Sequence, residues 1–195
     1  MSTLFDFLPP LLTGLGAALP PLAVLLPLWH ILFWKDLRKT VRYGILCLYL
    51  SAVWALTGMP DVFSARYAPK VNLIPFAGMI AAPVPTILNV LLFLPLGVML
   101  PLFWMRYRDG KNAVLAGLSL SLGVELSQLF SGITDIDDLI ANTAGTFLGY
   151  LIACALLLRW PRLADTDGLP WERGVLLATV FCVMFFLAPL VRTLL

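Results

Sequence analysis

The sequence predicts an all-α, polytopic membrane helix bundle with about six transmembrane helices. Three observations carry this. Of the 195 residues, 61% are hydrophobic and 12% are charged, whereas a soluble chain is nearer half apolar and about a quarter charged. Mean hydropathy is +0.94, an excess that one soluble core cannot hold but a bilayer can dissolve. The apolar residues also gather in runs of about 20, the length a helix needs to span. Short alternating segments of the kind a β-barrel requires are missing. The composition leaves one transmembrane domain over residues 1–195, with no room for a separate soluble domain. A net charge of +2 with no basic patch gives no reason to expect nucleic acid.

The first run, Phe7 to Trp34, is studded with Pro9, Pro10, Pro20, Pro21 and Pro27. Asp6 is the only charge before Lys35. A cleavable signal has a basic start and a short apolar run, so this is expected to be a retained, kinked span. Five further runs follow: Val41 to Met59, Thr86 to Met105, Ala113 to Ser131, Asp138 to Leu158 and Gly174 to Leu194. Five spans remain if the first or last run does not cross. Cys47, Cys154 and Cys182 fall inside apolar runs with no C-x-x-C, and are read as small buried apolar residues. Trp29, Trp34, Trp104, Trp160 and Trp171 sit at run ends, as interface anchors do. His30 is read as interfacial.

Basic loops set the orientation. The loops after the first, third and fifth runs hold Lys35, Arg38, Lys39, Arg42, Arg106, Arg108, Lys111, Arg159, Arg162 and Arg173. The other side has Arg66, Lys70 and Arg192. The odd loops are therefore expected in the cytoplasm, with both termini outside if six runs cross. Between the second and third runs, Asn72 to Pro85 is apolar, too short to cross, and broken by Pro75, Pro83 and Pro85. Such a piece suits an interfacial or re-entrant segment.

Polar residues converge on the outward side. Ser121, Glu125 and Gln128 share one helix face by their spacings of four and three. If that span ends at Ser131, Glu125 lies about 9 Å deep. A carboxylate near midplane costs on the order of 3 kcal/mol, so Glu125 should face the bundle interior, meet a donor or stay protonated. The next loop carries Asp135 and Asp138, and Asn142 follows Asp138 by one turn. With Asp138 as the helix start, Asn142 would sit about 6 Å inside, near enough to meet Glu125. Gly145-x-x-x-Gly149 continues this face and lets another helix approach. Asn72 and Asn89 come from the outer side of the second and third runs. Structural roles compete: Asp138 as a helix cap, Asn89 and Asn142 as interhelical hydrogen bonds, and Glu125 as one member of a buried pair.

In order, Asn72-Leu-Ile-Pro-Phe76, Asn89-x-x-x-Phe93-x-Pro95-Leu-Gly97, Glu125-x-x-Gln128, Asp135-Ile-Asp-Asp138 and Asn142-x-x-Gly145 resemble the VanZ-like family of bacterial membrane proteins. The resemblance covers about residues 72–158. It departs at Gly132, where the family often has arginine; Arg66, in the other outer loop, is a candidate substitute. The family takes its name from a protein associated with resistance to the glycopeptide antibiotic teicoplanin, and the resemblance implies a bacterial cell membrane. It does not supply a reaction.

The first functional expectation is an accessory or binding protein. Asn72, Asn89, Glu125, Gln128, Asp135, Asp138 and Asn142 would hold the polar head of an amphiphile at the outer face, such as a lipid-linked envelope precursor or a lipoglycopeptide, with apolar walls around its chain. An enzyme using paired carboxylates is the alternative; there is no H-E-x-x-H, no G-x-S-x-G and no histidine on the outer side. Any metal there would need oxygen ligands, and no metal or cofactor is expected. A small transporter using Glu125 or a scaffolding subunit packing through Gly145-x-x-x-Gly149 completes the set. The sequence does not fix an oligomeric state.

Overall fold

The computed structural model describes residues 7–81, 83–164 and 168–194; Asp6 falls outside them. The chain folds as an all-α membrane protein whose long helices follow the apolar runs. Helix α1 covers Leu8–Trp29 and runs on through a π-turn at His30–Trp34; α2 covers Leu37–Leu56. Helices α3 (Ala77–Ala81), α4 (Pro83–Phe103), α5 (Gly110–Gln128) and α6 (Ile136–Arg159) follow. Helix α7 (Pro170–Cys182) continues through a π-turn at Val183–Leu187 into α8 (Ala188–Leu194). Strand β1 (Lys70–Asn72) precedes α3, and β2 (Ile133–Asp135) precedes α6.

Among the described residues, four helical stretches are long and apolar enough to cross a membrane: Leu8–Trp34, Pro83–Phe103, Ile136–Arg159 and Pro170–Leu194. The chain is thus a multi-pass membrane protein. Helices α2 and α5 are of similar length but more polar. Arg38, Lys39 and Arg42 open α2, and Lys111, Ser121 and Glu125 interrupt α5.

The chain divides into two compact units, residues 1–67 with 170–195, and residues 68–169. In the first unit, Pro9 and Pro10 stand in the first turn of α1, where proline costs no hydrogen bond. The internal Pro20, Pro21 and Pro27 remove donors, and the helix loosens into the π-turn, which ends at Lys35 in a left-handed conformation. Asp36 then caps α2 by accepting from the Arg38 amide. Helix α2 packs on α1, with Gly14 pressed against Ala55.

Lys39, counted above as loop charge, lies inside a helix and is buried. Lys39 Nζ lies 2.9 Å from Glu172 Oε1, and Tyr43 Oη donates to Glu172 Oε2 at 2.7 Å. Glu172 is 1% exposed and Lys39 9%, so this is a buried ion pair joining α2 to α7. Trp34 stands edge-on to the Tyr43 ring. Trp29 Nε1 donates to Thr179 Oγ1 across α1 and α7 at 3.1 Å. Of the three cysteines, Cys47 is buried as expected, Cys154 is half-buried and Cys182 is exposed on α7. On a membrane helix the outward face is also apolar, so an apolar run does not tell core from lipid face.

The second unit is built on a close crossing of α4 and α6. A methyl group on Gly145 would run into the Val90 carbonyl oxygen, one on Gly149 into that of Leu94, and one on Gly97 into that of Thr146. The Gly145-x-x-x-Gly149 face is therefore occupied by α4 within this unit, not left open for a scaffolding partner. Helix α5 lies on the adjoining face of α6, with Gly117 against the Thr146 side chain.

Candidate functional site

The polar loop residues meet through a pairing that periodicity does not reveal. Strands β1 and β2 lie parallel, with Lys70 opposite Ile133, Val71 opposite Thr134 and Asn72 opposite Asp135. The Ala68 amide donates to the Leu129 carbonyl just beyond α5, which helps bring β1 to this end of the unit. Asn72 Nδ2 then reaches Asp135 Oδ2 at 3.1 Å.

Asp135 does three things. Its Oδ1 accepts from the Asp137 amide and so caps α6. Its Oδ2 takes the Asn72 amide, and its own backbone N–H donates to Glu125 Oε2 at 2.8 Å. The expected cap was Asp138. Because α6 begins at Ile136, the cap falls to Asp135, and Asp138 stands inside the first turn, where its Oδ1 accepts from Asn89 Nδ2 at 2.6 Å. Acidic residues in a first turn also suit the helix dipole.

Depths shift with these boundaries. Helix α5 ends at Gln128, so Glu125 lies about 4.5 Å from its last residue rather than about 9 Å below an end at Ser131. Helix α6 begins at Ile136, which puts Asn142 about 9 Å along it rather than 6 Å. Asn142 consequently meets Ser121, one turn below Glu125: its Nδ2 donates to Ser121 Oγ at 2.9 Å. Glu125 and Asn142 share the interface without a hydrogen bond between them. Glu125 is 3% exposed and Asn142 2%. Asn142 Oδ1 is buried without a hydrogen-bond partner among the described residues, the kind of orphan acceptor folded proteins rarely keep. Gln128 enters through its backbone, its carbonyl accepting from Ser131 and Gly132 in the turn after α5.

One residue outside the expected set is central to the local fold. Asp137 is 3% exposed and its carboxylate accepts from the amides of Phe76 at 2.6 Å, Gly78 at 2.8 Å and Met79 at 3.1 Å. These donors form the entry to α3, whose first amides have no helical partner. Phe76 holds φ of 67°, a left-handed conformation that costs a residue with a Cβ about 1–2 kcal/mol; charge-assisted bonds to Asp137 offset that. A methyl on Gly78 would meet Asp137 Oδ2 at 3.1 Å. The sequence clue was Pro75-Phe-Ala-Gly78, a turn whose amides need an acceptor.

Four carboxylates thus stand together: Glu125, Asp135, Asp137 and Asp138. Among the described residues, no lysine or arginine pairs with any of them. Gly132 offers open space and no charge where the resemblance leads one to expect arginine. Among the described residues, no three His, Cys, Asp or Glu side chains are placed to hold a metal ion. Beside the cluster, the segment after β1 keeps its apolar side chains outside the core: Leu73 is 69% exposed, Ile74 67% and Ile80 83%. Helix α3, five residues long, extends about 7.5 Å, which suits a piece lying along an interface.

No curated protein and no solved structure matches the chain. The family described as VanZ/LLP1 has a model that matches residues 45–159. The match begins within α2, ahead of the region that carries the sequence resemblance, and takes in β1, β2 and α3 to α6. The chain belongs to the VanZ/LLP1 family.

Proposed function

We propose that the polar end of the second unit binds the head of an amphiphile at the outer face of a bacterial cell membrane, in an accessory rather than a catalytic role. In this reading six helices cross, with α2 and α5 shielded by their apolar neighbours. The basic loops after the first, third and fifth spans face the cytoplasm, and both termini face outward. The observation that supports this most is the buried Asn142 Oδ1, unpaired among the described residues, under a group of carboxylates with no basic partner among those residues. A polar site is expensive at this depth, and packing alone does not explain an orphan acceptor within it. The exposed Leu73, Ile74 and Ile80 give an apolar surface for the ligand's chain. A lipid-linked envelope precursor and a lipoglycopeptide both have this form, which makes tolerance to envelope antibiotics, glycopeptides included, the natural readout.

A single cysteine at position 132 tests side and function together. Gly132→Cys has open space around it, so in a background lacking Cys47, Cys154 and Cys182 it should complement a deletion strain normally. A membrane-impermeant maleimide added to intact cells should label it, and antibiotic sensitivity should rise as labelling proceeds. No labelling from outside would refute the orientation; full labelling with no change in sensitivity would refute the functional site.

A further inference from the structure

Among Glu125, Asp138 and Asn142, the side-chain atoms left without any hydrogen bond from a described residue are all acceptors. The amide nitrogens of Asn72, Asn89 and Asn142 each already donate within this site, to Asp135, Asp138 and Ser121. The Asp135 amide is given to Glu125 Oε2. What remains is Glu125 Oε1, Asp138 Oδ2 and the buried Asn142 Oδ1, none of which receives a hydrogen bond from a described residue. These atoms come from the two facing helices. Glu125 is one turn above Ser121 on α5, Asp138 is one turn above Asn142 on α6, and the Asn142–Ser121 bond ties the two turns together. Glu125 and Asp138 are near enough to repel each other. An anionic head brought here would add to that repulsion, and a head with acceptors alone would leave every open oxygen unmet.

Resting on the binding role proposed above, we infer that the ligand enters head-first as a hydrogen-bond donor with positive charge: a primary ammonium group on an amphiphile. Three N–H bonds directed at separate acceptors suit an –NH₃⁺ group. Its charge relieves the repulsion between the two carboxylates. The competing occupant is a proton shared by Glu125 and Asp138, and Glu125→Gln separates the two. A neutral amide replaces a protonated carboxyl well, but it removes the charge an ammonium group needs.

The experiment is calorimetric titration of the purified full chain, in phosphatidylcholine nanodiscs, with octylammonium, octyltrimethylammonium and octyl phosphate. Empty nanodiscs provide the partitioning baseline. Octylammonium should bind saturably at one site per chain. Octyltrimethylammonium, which has the charge but no N–H, should bind about tenfold or more weakly, and octyl phosphate should not rise above the baseline. Glu125→Gln and Asp138→Asn should each weaken octylammonium by about ten- to a hundredfold. Octyl phosphate binding as well as octylammonium would overturn the inference, as would an octylammonium signal equal to the baseline or unchanged in both variants. The wild-type comparison of the three probes stands even if a variant does not fold. If it fails while labelling of Gly132→Cys still raises sensitivity, the outer site survives and only its ammonium ligand is lost.

Discussion

Replacing Glu172 by glutamine should cost about 3–5 kcal/mol of stability, because it removes the carboxylate that faces the buried Lys39 ammonium group. Lys39 Nζ and Glu172 Oε1 are 2.9 Å apart, and their side chains are only 11% and 2% exposed. The loss is larger than for a surface pair, which is typically worth no more than about 1 kcal/mol. Lys39→Met should be similarly costly, since it takes the ammonium group away from the buried Glu172 carboxylate, which also accepts from the Tyr43 hydroxyl. The double variant Lys39→Met/Glu172→Leu removes both charges and should recover most of the loss. Thermal unfolding of the four proteins in one detergent checks this. If either single variant is as stable as wild type, the pair is solvated and the packing of α2 on α7 is looser than described.

Gly149→Val should destabilise the second unit by about 3 kcal/mol, at the upper end of the usual cost of overpacking. A side chain there meets the Leu94 carbonyl, and the Gly97 Cα lies 2.9 Å from where its Cβ would stand. Both obstacles are backbone, so no rotamer change clears them. Gly145→Val should behave in the same way against Val90. Gly123 on α5 provides the control: nothing lies within 4 Å of its Cβ position, so Gly123→Ala should be neutral or stabilise by up to about 1 kcal/mol through helix propensity. The same melting assay applies, and equal melting of Gly149→Val and Gly123→Ala would contradict the close α4–α6 crossing.

The helices were legible because length and hydropathy are local properties. Phe7 to Trp34 was read as one kinked span and folds as Leu8–Trp29 with a π-turn to Trp34. Starts were harder. Arg38 and Lys39 read as loop because they are charged, yet they lie in α2, where Asp36 supplies a cap and Glu172 a buried partner for Lys39. A partner 133 residues away leaves no mark on local hydropathy. The same reason hid the pairing of Asn72 with Asp135, since strands of three residues are too short to show alternation. Within the site, spacing correctly put Asp138 and Asn142 on one face of α6 and Ser121 and Glu125 on one face of α5. It misplaced their depths, because the true ends of α5 and α6 lie a few residues earlier. Asp137 escaped notice because its partners are backbone amides, which any sequence possesses.

The central claim is that this polar group exists for a ligand and not for packing. Its most direct test compares growth and envelope-antibiotic sensitivity of a deletion strain carrying wild type, Glu125→Gln or Asn142→Ala, with membrane abundance measured for each. The account predicts wild-type abundance and failed complementation for both variants. Full complementation by both would contradict it and reduce the group to interhelical packing.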